Sequence, residues 1–131
     1  MAIAYKTLAA LALLSTATLS QAADPKSHTS GTWATDFGTV KLMEDAQGNI
    51  SGSYVTDNGR ITGKIENGVI DGFWVESVSD YTCDTAKLGS RHWGRIRFEL
   101  NSDRTGWTGI WSYCDYEYIE GNVWNGKRAA K

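Results

Sequence analysis

Proline is almost missing from this chain: its 131 residues contain one, Pro25. That scarcity, beside 14 glycines, excludes a Pro-rich stalk and suits short strands joined by tight turns. Charge of one sign is missing too, since the formal net charge is −2. Such a balance argues against nucleic acid or an anionic membrane as the main partner. Only two histidines are present: His28 lies in the polar lead-in, and His92 begins a strand beside Arg91 with no nucleophile motif and no metal-ligand spacing around it. No Gly-rich phosphate loop occurs, because the glycines fall within strands and hairpins. Carboxylate pairs for glycoside hydrolysis, such as Asp84 with Glu117, can be drawn from any acidic loop, but linear sequence sets no separation between them. No enzyme and no cofactor are therefore expected.

Long apolar runs are absent beyond the amino terminus. There, Lys6 supplies a basic residue, Leu8 to Leu14 an apolar stretch too short to span a bilayer, and Ser20-Gln-Ala22 a small-x-small site. Residues 1–22 read as a signal peptide cut after Ala22, which places the mature protein in the periplasm or outside the cell. Its removal takes Lys6 with it and leaves the mature chain one unit more negative. Residues 23–30 are polar and aperiodic, a flexible lead-in, and residues 31–128 form one domain with a single modest core.

The two cysteines, Cys83 and Cys114, are expected to pair in an exported chain, with two free thiols as the alternative. A zinc site has no support, because these cysteines and the lone His92 lack ligand spacing.

What is abundant is alternation. Ile50-Ser-Gly-Ser-Tyr54, Ile61-Thr-Gly-Lys-Ile65 and Ile70-Asp-Gly-Phe-Trp74 each carry apolar residues at period two, with glycine on the apolar face. A glycine there leaves room for a large neighbour from the next strand, or marks a bend. The chain divides into strands at residues 31–35, 39–45, 50–56, 60–66, 69–77, 92–100, 106–113 and 122–128. Asn58-Gly59 and Asn67-Gly68 are hairpin turns with positive φ. Two longer loops, 78–91 and 114–121, break the rhythm.

Eight antiparallel strands joined mostly by hairpins can close into an up-and-down meander barrel of the avidin or lipocalin kind, which removes both edges. An open twisted sheet or a sandwich is the alternative. Side chains such as Trp33, Leu42, Ile61, Trp74, Phe98 and Trp107 would fill most of the interior, leaving room for at most a small ligand at one mouth. Phe73, Val75 and Ile110 point outward and form a possible apolar patch for a weak homodimer.

Two resemblances follow from these motifs. Gly31-Thr-Trp33 with Gly48-Asn-Ile-Ser-Gly-Ser-Tyr54 resembles the opening of the avidin family over roughly two hairpins. The likeness implies an eight-stranded barrel with Thr39 and Tyr54 at biotin-contacting positions, although Thr35 stands where avidins have asparagine. Over the whole mature chain, Trp33-Ala-Thr-Asp-Phe-Gly38, Gly48 to Tyr54, Gly59 to Gly63 and Trp124-Asn-Gly126 resemble a set of small exported bacterial β-domains rich in glycine and tryptophan. That resemblance implies the fold and no particular activity.

The candidate site lies on the loops that the cysteines would join. Tyr81, Asp84, Asp115, Tyr116, Glu117 and Tyr118 would gather at one barrel end, where tyrosines and carboxylates suit recognition of a protein or glycan. Trp93 should face outward beside Arg95 and Arg97, as a stacked surface cluster or part of a contact surface. The carboxylates can also hold Ca²⁺, but no Asp-x-Asp-x-Asp-Gly loop is present and no metal is expected. The leading expectation is an exported, non-enzymatic binding module for a protein or glycan. A carrier with a small apolar ligand near Tyr54 in the barrel mouth is the runner-up, and a periplasmic hydrolase inhibitor the third reading.

Overall fold

The computed structural model describes residues 29–129. The proposed signal peptide and most of the lead-in lie outside them. The strands are β1 (Gly31–Thr35), β2 (Gly38–Glu44), β3 (Asn49–Tyr54), β4 (Gly59–Glu66), β5 (Val69–Glu76), β6 (His92–Leu100), β7 (Gly106–Trp111) and β8 (Gly126–Arg128). They pair in sequence order as an antiparallel meander, and β1 meets β8 to close the barrel. Among the described residues no helix is long and apolar enough to cross a membrane.

Period two decides which residues enter the core. Trp33 and Val40 face each other across β1 and β2, Ile61 and Trp74 across β4 and β5, and all four are buried. Fully burying a large apolar side chain contributes ~1.5–3 kcal/mol, so this interior dominates the fold. Inner-face glycines admit the bulk of their neighbours. A Cβ on Gly52 would lie 2.6 Å from Leu42 Cδ2, and one on Gly126 2.6 Å from the Trp107 ring. Gly63 and Gly72 pair directly, and a Cβ on Gly72 would come within 2.6 Å of the Gly63 Cα. Backbone there approaches backbone, as a tightly curved wall requires.

Several boundaries differ from the sequence reading. The β3–β4 connection is a single 3-10 turn, Thr56–Asn58. Positive φ falls on Asp57 (47°) and Asn58 (56°). Gly59 starts β4 in extended conformation, and what it supplies is space for the Tyr54 ring. β7 stops at Trp111, although the Ser112 and Cys114 amides still donate to the Arg95 and Trp93 carbonyls of β6, and the chain turns at Cys114, whose φ is positive (51°). β8 is shorter than expected. Ahead of it, Trp124 N–H still reaches Gly109 O at 2.8 Å, but the Asn125 side chain takes over as acceptor for Gly109 N–H at 3.1 Å. The end of the lead-in is docked: Thr29 is 0% exposed, its amide donates to Glu44 Oε1, and its carbonyl accepts from the Trp33 indole.

Cys83 and Cys114 form a disulfide across a separation of 31 residues. In the chain-entropy account a bridge of that span stabilises the fold by ~3–4 kcal/mol. It ties the β5–β6 loop to the β7–β8 loop on the outside of the barrel. There it joins a second apolar cluster with Val75 and Trp93, flanked by Phe73 and Tyr113. The outward patch expected from Phe73, Val75 and Ile110 is therefore not a free face: Val75 is 0% exposed, because the chain's own loop lies over it.

Candidate functional site

All four connections with odd-to-even strand order, β1–β2, β3–β4, β5–β6 and β7–β8, fall at one end of the barrel, including both long loops. That end holds a cavity of about 200 Å³. Trp74 on β5 and Trp111 on β7 form its walls, with Trp124 from the segment before β8. Phe37 enters from the β1–β2 turn, and Tyr113 from the loop after β7. Thr56, Asp57, Glu76, Ser79 and Asp80 supply the polar lining.

The rings meet nearly at right angles. Phe37 stands edge-on to Trp124 (4.9 Å, 75°) and to Trp111 (6.0 Å, 82°), and Tyr113 is edge-on to Trp111 (5.1 Å, 84°) and Trp74 (5.8 Å, 79°). Perpendicular rings form the sides of a box, whereas stacked rings would fill the space. Hydrogen bonds set most of these rings. Trp74 Nε1 donates to Ser112 O at 3.0 Å, and Trp124 Nε1 to Thr35 Oγ1 at 2.9 Å. Trp33, Trp93 and Trp107 also donate to backbone carbonyls. Among the described residues, Trp111 is the one tryptophan whose indole N–H makes no hydrogen bond within the chain.

Glu76, the last residue of β5, is half-buried, and its carboxylate accepts from Tyr54 Oη at 2.8 Å. Burial pushes the Glu76 carboxyl above its ordinary value of 4.5. The Tyr54 hydrogen bond and His92 pull it down, and Asp57 adds to the rise. Burial and the Glu76 charge together hold the Tyr54 hydroxyl protonated. On the rim, Tyr113 Oη lies 3.4 Å from Asp80 Oδ2, and burial first, then Asp80, raises the Tyr113 phenol.

The residues singled out in the sequence divide among three places. Tyr81 packs against Tyr113 at a tilt, with centroids 4.6 Å apart, at the rim. Tyr54 lies below it, buried, with its ring edge-on to Trp124. Trp93 does lie on the outer side of β6, but it is 4% exposed rather than open to a partner. Phe73 packs against it, Lys87 Nζ sits 4.6 Å from its ring, and its indole donates to Thr85 O. Arg95 instead covers Tyr118, at 4.7 Å, on the barrel wall. Asp84, Asp115, Tyr116 and Glu117 are exposed, and the carbonyl of Asp84 accepts from the Arg91 guanidinium. Among the described residues no three His, Cys, Asp or Glu side chains converge as metal ligands.

Two residues of the avidin likeness take other roles. Thr39 alternates with buried Val40 and is exposed on the outer face of β2. The Thr35 hydroxyl is occupied by the Trp124 indole and by Gly38 O, at 2.6 Å. Sequence reasoning missed Phe37, Thr56, Asp57, Glu76 and Ser79 as site residues. Each sits at a strand end or turn, and closure of the barrel is what brings those turns together. No protein-family model, curated protein or solved structure matches this chain.

Proposed function

We propose that this chain is a non-enzymatic, exported binding protein that holds a small ligand in its aromatic mouth. The observation carrying the reading is the cavity between Phe37, Trp74, Trp111 and Trp124, open at the end where the long loops meet. Its volume of about 200 Å³ falls below the ~300–1,000 Å³ of pockets for drug-sized ligands, so the ligand is small. The disulfide fits an oxidising compartment such as the periplasm or the cell exterior. It also stiffens the two loops that frame the mouth, which reduces the ordering cost of binding.

A titration followed by intrinsic tryptophan fluorescence tests this reading. A small ligand should shift the emission saturably, and Trp111→Ala should remove the response while the protein stays folded. An unchanged response in that variant would contradict the site.

Recognition of a protein or glycan by the loops is the second reading. Tyr81 (55% exposed) and Tyr116 (60% exposed) favour it, as large side chains standing out from stapled loops. Tyr116→Ala separates the two: it should weaken a macromolecular partner and leave the mouth ligand unaffected.

A further inference from the structure

We propose that the mouth takes a small organic cation, an amine or quaternary ammonium group enclosed by the aromatic rings and facing the carboxylates of Glu76, Asp57 and Asp80. This rests on the reading of the mouth as a small-ligand site and adds the ligand's chemical class.

The first support is the sign of the lining. Three acidic residues line the cavity, and among the described residues that line it there is no lysine, arginine or histidine. Aromatic faces attract cations through their quadrupoles, and such cages are a recurrent way to hold ammonium groups. An apolar ligand alone would give no reason for carboxylates around an aromatic box. An anion would be repelled by them.

The second support comes from the rest of the molecule. Away from the mouth, four aromatic rings are each met by a cation of the same chain. The Arg128 guanidinium lies 4.4 Å from the centroid of Trp33. Lys87 Nζ lies 3.9 Å from Phe73 and 4.6 Å from Trp93. Arg95 covers Tyr118 at 4.7 Å. Around Phe37, Trp74, Trp111 and Trp124 the neighbours contributed by the chain are acids and hydroxyls.

The third support is Glu76 itself. Its carboxylate is half-buried beside the aromatic wall and accepts one bond from Tyr54. A cation in the cavity would offset the cost that burial imposes on its charge. Charged and titratable groups near Glu76 come from several elements: Tyr54 on β3, Asp57 on the 3-10 turn, Arg60 on β4, which lines an adjoining groove with Glu76, Tyr113 after β7, and His92 on β6, whose Nδ1 lies 3.0 Å from Ser79 Oγ. Acidification protonates Glu76, and the loss of its charge opposes a bound cation.

Choline and tetramethylammonium, against 3,3-dimethylbutan-1-ol as the neutral isostere of choline and glucose as a neutral polyol, test the proposal by calorimetry and tryptophan fluorescence on the mature, disulfide-bonded chain. Choline should bind at least tenfold more tightly than its isostere, and more weakly at pH 5 than at pH 7.5. Glu76→Gln should cost choline about tenfold and leave the isostere unchanged. Asp80→Asn, on the exposed rim, provides a second test should Glu76→Gln fold poorly, and Glu66→Gln, at the opposite end of the barrel, is the control. Equal binding of choline and its isostere, or tighter binding of glucose, would overturn the cation and leave the small-ligand site standing. No saturable response from any of the four probes would overturn both.

Discussion

The two ends of the barrel contain the same kind of aromatic interior and finish it in opposite ways. At the end where β1 begins and β8 finishes, Phe98 stacks on Trp107 (4.6 Å, 10°), and Trp33 packs against Trp107 at 4.6 Å. Arg128 covers Trp33 and donates to Ser30 O at 2.9 Å and to Arg104 O. Arg104 in turn lies 3.7 Å from Glu44, which also accepts the Thr29 amide at 3.0 Å. That end is sealed by the chain's own cations, with acids and carbonyls around them. At the mouth, the rings stand at right angles, the lining is acidic, and no basic side chain of the described lining enters. The contrast separates rings that hold the fold from rings that remain available to a guest, although a linear reading sees only six tryptophans.

That contrast can be broken most severely at the sealed end. Trp33→Ala removes a fully buried ring and the surface under Arg128 together, and should cost about 3–5 kcal/mol in denaturant unfolding. A loss near that of an exposed site would mean the sealed end does not carry the fold. Reduction of Cys83–Cys114 should lower stability by about 3–4 kcal/mol and loosen the mouth selectively. Hydrogen exchange should then rise in residues 78–91 and 112–124 before it rises in β1 to β4.

Glu44→Ala takes the acceptor from the Thr29 amide and the carboxylate from Arg104. We expect about 1.5–3 kcal/mol of destabilisation with ligand binding at the mouth intact. Loss of binding in that variant would show that the ends are coupled. Trp111→Ala reverses the pattern: because Trp111 is half-buried and its N–H is uncommitted, stability should fall by only about 1 kcal/mol while the fluorescence response to ligand disappears.

The smallest expected effect is a pH slope. Burial raises the Glu76 carboxyl above 4.5 in the folded chain, so the folded state binds its proton more tightly than the unfolded state does. Its stabilising contribution is full below the unfolded-state value and is lost as pH rises through the raised folded-state value. Glu76→Gln should flatten that slope in urea titrations from acid toward neutral pH. An unchanged slope would assign it to other groups.

Much of the barrel was legible because period two and inner-face glycines act locally. Ile50-x-Gly-x-Tyr54 or Trp107-x-Gly-x-Trp111 states both the strand and its buried face. Closure was legible from the number of hairpins. Three features were not. Val75 and Trp93 read as outward, one in an apolar patch and the other in a surface cluster or contact surface, and they do point away from the barrel interior, yet the disulfide-bound loop covers them. A long loop carries no period from which its resting place could be read. Tyr118 and Tyr81 are near in the expected loop cluster, but Arg95 draws one to the wall and Tyr113 the other to the rim. The mouth combines residues from four connections with the ends of β5 and β7, so it exists only after the barrel closes.

The central claim is that ligand enters at the acidic, aromatic mouth and not at the sealed end. Indole N–H resonances of the ¹⁵N-labelled protein, followed during titration with choline, address it directly. We expect the Trp111 signal to move most, Trp74 and Trp124 to follow, and Trp33 and Trp107 to stay fixed. Shifts concentrated on Trp33 and Trp107, or no shift in any indole, would contradict it.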